Sequence, residues 1–173
     1  MDMTLLEAKA QPCPWTRFWA RTLDYLIFGF FLGFVAALLG IPLPIVQQPF
    51  MSMIIIFCWV FVEALLLCTW GSTPGKALFR CYVRTSEGHK LTFLKALNRS
   101  FSVWWLGMGA GIPLVVAVTM IVASVKLSNC HITTWDRVGH FVVQHDRLGV
   151  GRVVLIVFIY FLFLLMVYGS MGR

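Results

Sequence analysis

Three long apolar runs constrain this chain more than any other feature. Residues 18–40 read FWARTLDYLIFGFFLGFVAALLG, residues 51–70 read MSMIIIFCWVFVEALLLCTW, and residues 153–169 read VVLIVFIYFLFLLMVYG. An α-helix needs about 20 mostly apolar residues to cross about 30 Å of hydrocarbon. Composition agrees. Of 173 residues, 60% are hydrophobic and 12% charged, and the mean hydropathy is +0.85. A soluble globular domain carries about 25% charged residues. Half that charge cannot coat a water-facing surface, which argues against a soluble enzyme, a disordered tail and a disulfide-stapled secreted domain. Residues 1–11 contain Asp2 and Glu7, and no small-residue cleavage site follows Arg17 and Arg21, so the first run is expected to remain as a mature span.

Charge orients the runs. The net charge is +7, and cytoplasmic loops of membrane proteins collect Lys and Arg. Residues 71–100 hold Lys76, Arg80, Arg84, Lys90, Lys95 and Arg99 against Glu87 alone. That stretch is expected to be cytoplasmic, and two spans upstream so is the N-terminus. Residues 41–50, with three prolines and no charge, form the outer turn. Within 71–100, residues 79–84 and 90–93 flank a Gly88-containing turn and predict a β-hairpin at the membrane surface. Residues 141–143 could add a third strand.

Residues 93–127 are apolar but broken by GMGAGIP at 107–113. They either cross once or turn back at the glycines. The turn leaves 13 of the 14 Lys and Arg cytoplasmic and is preferred. Residues 126–152 then form a second cytoplasmic loop, with two similar decapeptides, WDRVGHFVVQ from Trp135 and HDRLGVGRVV from His145. The expected fold is an all-α multi-span helical bundle with a small cytoplasmic β-hairpin and a broken or re-entrant helix pair. Its parts are a cytoplasmic segment 1–17, a membrane domain 18–152 and a C-terminal helix 153–173.

Two acids interrupt the spans, Asp24 and Glu63. A charged side chain at the bilayer centre costs about 2.5–3.5 kcal/mol on insertion scales, so such groups face protein or a wet cavity. Arg17, Arg21 and Asp24 stand at i, i+4 and i+7, on one helical stripe. Arg21 can reach Asp24 three residues along. Asp24 lies seven residues from Arg17, and Glu63 seven from Trp70, so the acids sit level, about 10 Å under the cytoplasmic surface. Two carboxylates beside arginine could bind Na+ or relay H+. The competing reading is an ion-paired knot that holds two helices together.

Other motifs read more simply. GSTPGK at 71–76 resembles a Walker A loop but lacks its first Gly, the Ser or Thr after Lys76, and a preceding strand. It is expected to be a tight turn with Lys76 at the headgroups, at the cytoplasmic mouth with Asp146. Gly29 and Gly33 allow close helix packing. The five cysteines and four histidines show no metal-site spacing, and no activated nucleophile is evident, so neither a metal, a cofactor nor an enzymatic role is expected.

The segment RFWARTLD from Arg17 resembles the opening signature of the RDD family of membrane proteins, with Arg17 and Asp24 as its first Arg and Asp. Gly71, Thr73, Gly75 and Lys76 resemble the family's Gly-x-Thr-x-Gly-Lys turn. Gly88 resembles its hairpin glycine, and Ala96 and Arg99 its Ala-x-x-Arg helix. Asp136 and Asp146 compete for the second Asp. Asp136 keeps the strand spacing and is preferred, Asp146 keeps the preceding His145, and neither has the family's Gly-Thr pair. The resemblance covers about residues 12–144. It implies a multi-span protein of the cytoplasmic (inner) membrane. Transport is suggested for the family, sodium–proton exchange is attributed to some members, and a eukaryotic relative partners a membrane protein-degradation complex. Two functions follow as expectations. One is a small transporter exchanging cations for protons through Arg17, Arg21, Asp24, Glu63 and Asp136, working as an oligomer. The other is a non-transporting accessory or assembly subunit that meets a membrane protein partner or anionic lipid through Arg80, Arg84, Lys90 and Lys95. The bilayer is the expected medium, and nucleic acid is not an expected partner.

Overall fold

The computed structural model describes residues 13–42, 48–109, 118, 119, 121, 122, 125, 133, 136, 139, 141–146 and 148–171. Helix α1 runs Pro14–Leu38 and helix α2 runs Pro49–Thr69. A single turn, α3 (Pro74–Leu78), leads into strand β1 (Cys81–Thr85). Helix α4 (Phe93–Ser102) continues into a π-helical turn over Val103–Gly107. Strand β2 (Phe141–His145) and helix α5 (Val150–Met171) follow.

Helix α1 starts four residues earlier than the apolar pattern predicts. Pro14 occupies its first turn, where the missing N–H costs nothing and the fixed φ is already helical. Arg17 is therefore part of the helix. At the other end Gly40 takes φ +67°, and Gly40 N–H donates to Ala37 while Ile41 N–H donates to Ala36. That is a Schellman closure, which needs the left-handed conformation glycine accepts. The same helix buries Ala20, Leu23 and Asp24 while exposing Phe30, Phe31, Phe34 and Leu38. Helix α2 likewise exposes Phe57, Phe61 and Leu65, and α5 exposes Val154, Phe158 and Leu165. Exposed apolar area on this scale suits hydrocarbon and not water. Among the described residues one helix, α1, is long and apolar enough to cross a membrane; Met53–Thr69 and Val150–Met166 are shorter apolar stretches.

The predicted hairpin is not formed. Strand β1 pairs antiparallel with β2, in the register Cys81 opposite His145, Val83 opposite Val143 and Thr85 opposite Phe141. The turn after β1 does close, with Gly88 N–H on the Thr85 carbonyl and Thr85 N–H on the His89 carbonyl. The chain beyond it lacks room for a strand, because Thr92 is already the residue before α4. The segment expected to be a third strand is instead the partner. Alternation then buries Cys81 and Val83 on one strand and Phe141 and Val143 on the other.

Two apolar clusters flank this ribbon. Ala64, Leu67, Val83, Leu91, Ala96, Phe141 and Val143 join α2 and α4 to the sheet. Ala20, Leu23, Phe79, Cys81 and Ile156 join α1 and α5 to its other end. The glycine-rich turn expected over 107–113 falls largely outside the described residues. Thr119 donates to the Gly107 carbonyl at 3.2 Å.

Candidate functional site: a buried ionic network

Seven ionisable side chains meet where α1, α2, α3 and α4 converge. Asp24 fastens α1 to the turn after α2. Its two carboxylate oxygens accept from the Thr73 hydroxyl at 2.5 Å and from the Gly75 backbone N–H at 2.6 Å. Gly75 is required there, because a Cβ would stand against the Ala20 carbonyl oxygen and 2.8 Å from Asp24 Oδ1. Thr73 is also the residue before α3, and its hydroxyl accepts from the Lys76 N–H.

Glu63, from the middle of α2, is 2% exposed and held by three cations. Arg21 Nη2 donates to Oε1 at 3.1 Å, Lys76 Nζ donates to the same oxygen, and Arg99 Nη1 lies 3.8 Å from it. Asp136 is 1% exposed and accepts from Arg99 Nε at 2.9 Å, Arg17 Nη1 at 3.1 Å and Thr133 Oγ1 at 2.7 Å. Arg99 thus lies between Glu63 and Asp136. Arg17 Nε also donates to His145 Nε2 at 3.3 Å, and His145 Nδ1 lies 3.1 Å from Cys81 Sγ.

These contacts revise the expected site. Asp24 and Glu63 do not share a partner: the first holds a hydroxyl and a backbone N–H, the second holds cations. Arg21 donates across to Glu63 and not along its own helix to Asp24. Lys76, expected at the headgroups, is 8% exposed and pressed onto Glu63. Of the two competing aspartates, Asp136 joins the network, while Asp146 is exposed and contributes its backbone N–H to the Arg80 carbonyl. Arg99, which sequence reading left among the cytoplasmic charges, is central. Its place in an Ala-x-x-Arg helix next to a polar turn was the available signal.

Electrostatics follow from the packing. Burial would raise the Asp136 pKa, but the Arg99 and Arg17 guanidiniums outweigh it and hold the carboxyl below its ordinary value. Burial lowers the Lys76 ammonium pKa, and neighbouring Arg21 and Arg99 add to that. His145 is pushed down to about 4 by burial and by Arg17, so it is neutral at pH 7. Burial pushes the Cys81 thiol up to about 11, which makes it a poor nucleophile. The network sets four basic side chains, Arg17, Arg21, Lys76 and Arg99, beside three acidic ones, Asp24, Glu63 and Asp136.

A cavity of about 360 Å³ opens beside it. All four cations line the cavity, and no carboxylate does so among the described lining residues. The remaining wall is mostly apolar, with Trp15, Phe18, Val103, Met108, Ile121 and Val125. Arg99 is 5% exposed, yet its Nη1 has no hydrogen-bond partner among the described residues. Among those residues no group of His, Cys, Asp and Glu could hold a metal ion.

Arg17, Asp24, the Gly71–Lys76 turn, Arg99 and Asp136 all lie within residues 11–140, the stretch that a family model matches. The chain belongs to the RDD family. This is a family of membrane-associated domains. Comparison with curated proteins and with solved structures finds no match. In this RDD protein the first Arg and the preferred second Asp of the signature are bonded to each other, as Arg17 and Asp136. The first Asp, Asp24, serves a different purpose, bracing the Gly-x-Thr-x-Gly-Lys turn against the first helix.

Proposed function

We propose that this RDD protein is a multi-span protein of the cytoplasmic membrane whose ionic network forms a solute site of transport type, and that the site takes one anionic group. The observation that carries this is the arrangement at the cavity: among the described residues four basic side chains line it, no carboxylate does, and Arg99 Nη1, 3.8 Å from Glu63, makes no hydrogen bond. An unsatisfied buried donor costs about 1–3 kcal/mol, more when charged, and an incoming carboxylate or phosphate oxygen would relieve it. The sequence suggested Na+ or H+ instead. The geometry favours that less, because each of the three acids is engaged by two or more donors, and the charged side chains among the described lining residues are all basic. Multi-span topology is supported by the exposed apolar faces of α1, α2 and α5. The accessory-subunit reading keeps an exposed Lys90, while Arg84 is half-buried and donates to the Gly71 carbonyl.

The test is a ligand panel on the purified full chain in neutral detergent, read by thermal unfolding. Acetate, phosphate and a long-chain carboxylate are compared at constant sodium, and sodium is then varied at constant anion. At least one anion should raise the midpoint in wild type and not in Arg99→Gln. Stabilisation that follows sodium, or sodium-driven proton exchange in proteoliposomes that Glu63→Gln abolishes, would overturn the anion assignment.

A further inference from the structure

The cavity is larger and greasier than a bare anion requires. Its volume of about 360 Å³ falls in the roughly 300–1,000 Å³ range of sites for organic ligands. Three of its lining residues, Arg21, Lys76 and Arg99, are paired with Glu63 and Asp136. Its apolar side includes Trp15, Ile121 and Val125, which are 72%, 64% and 53% exposed. Residues that both line a cavity and lie exposed mark its rim. A rim of this kind, at the N-terminal end of α1, would sit at the cytoplasmic membrane interface, within reach of lipid. A small hydrated anion would lose its water on entering past such a rim and gain nothing from the wall. A ligand with an anionic head and a hydrocarbon tail matches both halves.

We propose that this cavity binds an anionic amphiphile, with a carboxylate or phosphate head on Arg99 and Arg21 and its acyl chain along Val103, Met108, Ile121 and Val125. The proposal rests on the anion assignment above and names the class of ligand. Arg99 is suited to the head because Asp136 fixes its Nε at 2.9 Å, while Nη1, 3.8 Å from Glu63, makes no hydrogen bond among the described residues. Tail recognition rests on van der Waals packing against the apolar wall and is non-directional. Head and tail can therefore be tested apart.

The experiment is native mass spectrometry of the full chain in neutral detergent. Dioleoylphosphatidate is the probe, dioleoylphosphatidylcholine matches its tails, and inorganic phosphate and acetate match its head. One phosphatidate should bind per chain, with phosphatidylcholine at least about tenfold weaker. Phosphate and acetate should fail to displace it at a hundredfold excess. Arg99→Gln should weaken phosphatidate by about 10–100-fold, the range expected for a lost charged hydrogen bond, and Arg99→Lys should recover part of that. Arg99 also bonds Asp136, so Ile121→Trp provides a second variant. It narrows the tail path from an exposed position that is part of no ion pair, and should weaken phosphatidate at least tenfold in a folded protein. Displacement of phosphatidate by phosphate or acetate at comparable concentration would overturn the amphiphile and leave the anion site standing. Equal binding of phosphatidylcholine, or no binding of any anion to folded wild type, would overturn both.

Discussion

Gly75 shows how one missing side chain holds this site together. The backbone at Gly75 comes close enough to α1 for its N–H to reach Asp24, and a Cβ has no room. Gly75→Ala should therefore destabilise the protein by about 1–3 kcal/mol, the usual cost of overpacking, through loss of that contact. Gly29→Ala is the control, since a Cβ there meets nothing within 4 Å and Ala favours helix. Thermal unfolding in detergent should separate the two. Acid sensitivity also sits at single residues. His145 has a folded pKa of about 4 against an ordinary 6.5, so the unfolded chain takes the proton first. Stability should fall as pH drops from about 6.5 to about 4. Asp136 has its pKa depressed in the fold, so its contribution is present above about 3.8 and lost below, as pH falls through the folded value. A series of unfolding midpoints should show both windows, and His145→Gln should flatten the upper one alone. A His145→Gln variant that keeps the upper slope would remove His145 as its source.

The elements were legible where their determinants are local and obscure where they are not. The stripe Arg17, Arg21, Asp24 follows from helical period alone, and α1 carries all three. The partner of β1 could not be read the same way. Phe141–His145 lies more than fifty residues along the chain, and only packing decides that it, and not residues 90–93, completes the ribbon. Lys76 and Arg99 were read as cytoplasmic charges because the excess of Lys and Arg in a loop reports its side of the membrane and not its burial. In the fold they neutralise Glu63 and Asp136. The short α3 turn is where local and tertiary demands meet, since Thr73 caps it and also donates to Asp24. Thr73→Ala removes the cap, worth about 1 kcal/mol, and strips a donor from a buried carboxylate, worth about 1–3 kcal/mol. A total loss of about 2–4 kcal/mol is expected. Thr73→Ser keeps the hydroxyl and should lose less than half of that in the same unfolding assay. Equal losses for both variants would mean that the methyl group, and not the hydroxyl, matters at this position.

Across the whole molecule, apolar exposure and buried charge are segregated. The ionic network gathers at the N-terminal part of α1, the C-terminal half of α2 and the segments that follow, while exposed Phe30, Phe31 and Phe34 and exposed Leu164 and Leu165 lie farther along α1 and α5. If α1 and α2 both cross the bilayer, the chain between them must face the side opposite the turn after β1. Ile41 and His89 are exposed at those two places. With the five native cysteines replaced, Ile41→Cys should react with a membrane-impermeant maleimide from outside intact cells. His89→Cys should react only in inverted vesicles. Labelling of both from one face would mean that α2 does not span, and the buried network would then lie at a membrane surface, where water competes for every one of its ion pairs. Labelling from opposite faces would put Glu63, three donors and the cavity beneath the cytoplasmic leaflet. There the loss of solvent strengthens each contact, and it also makes any donor left without a hydrogen bond more costly.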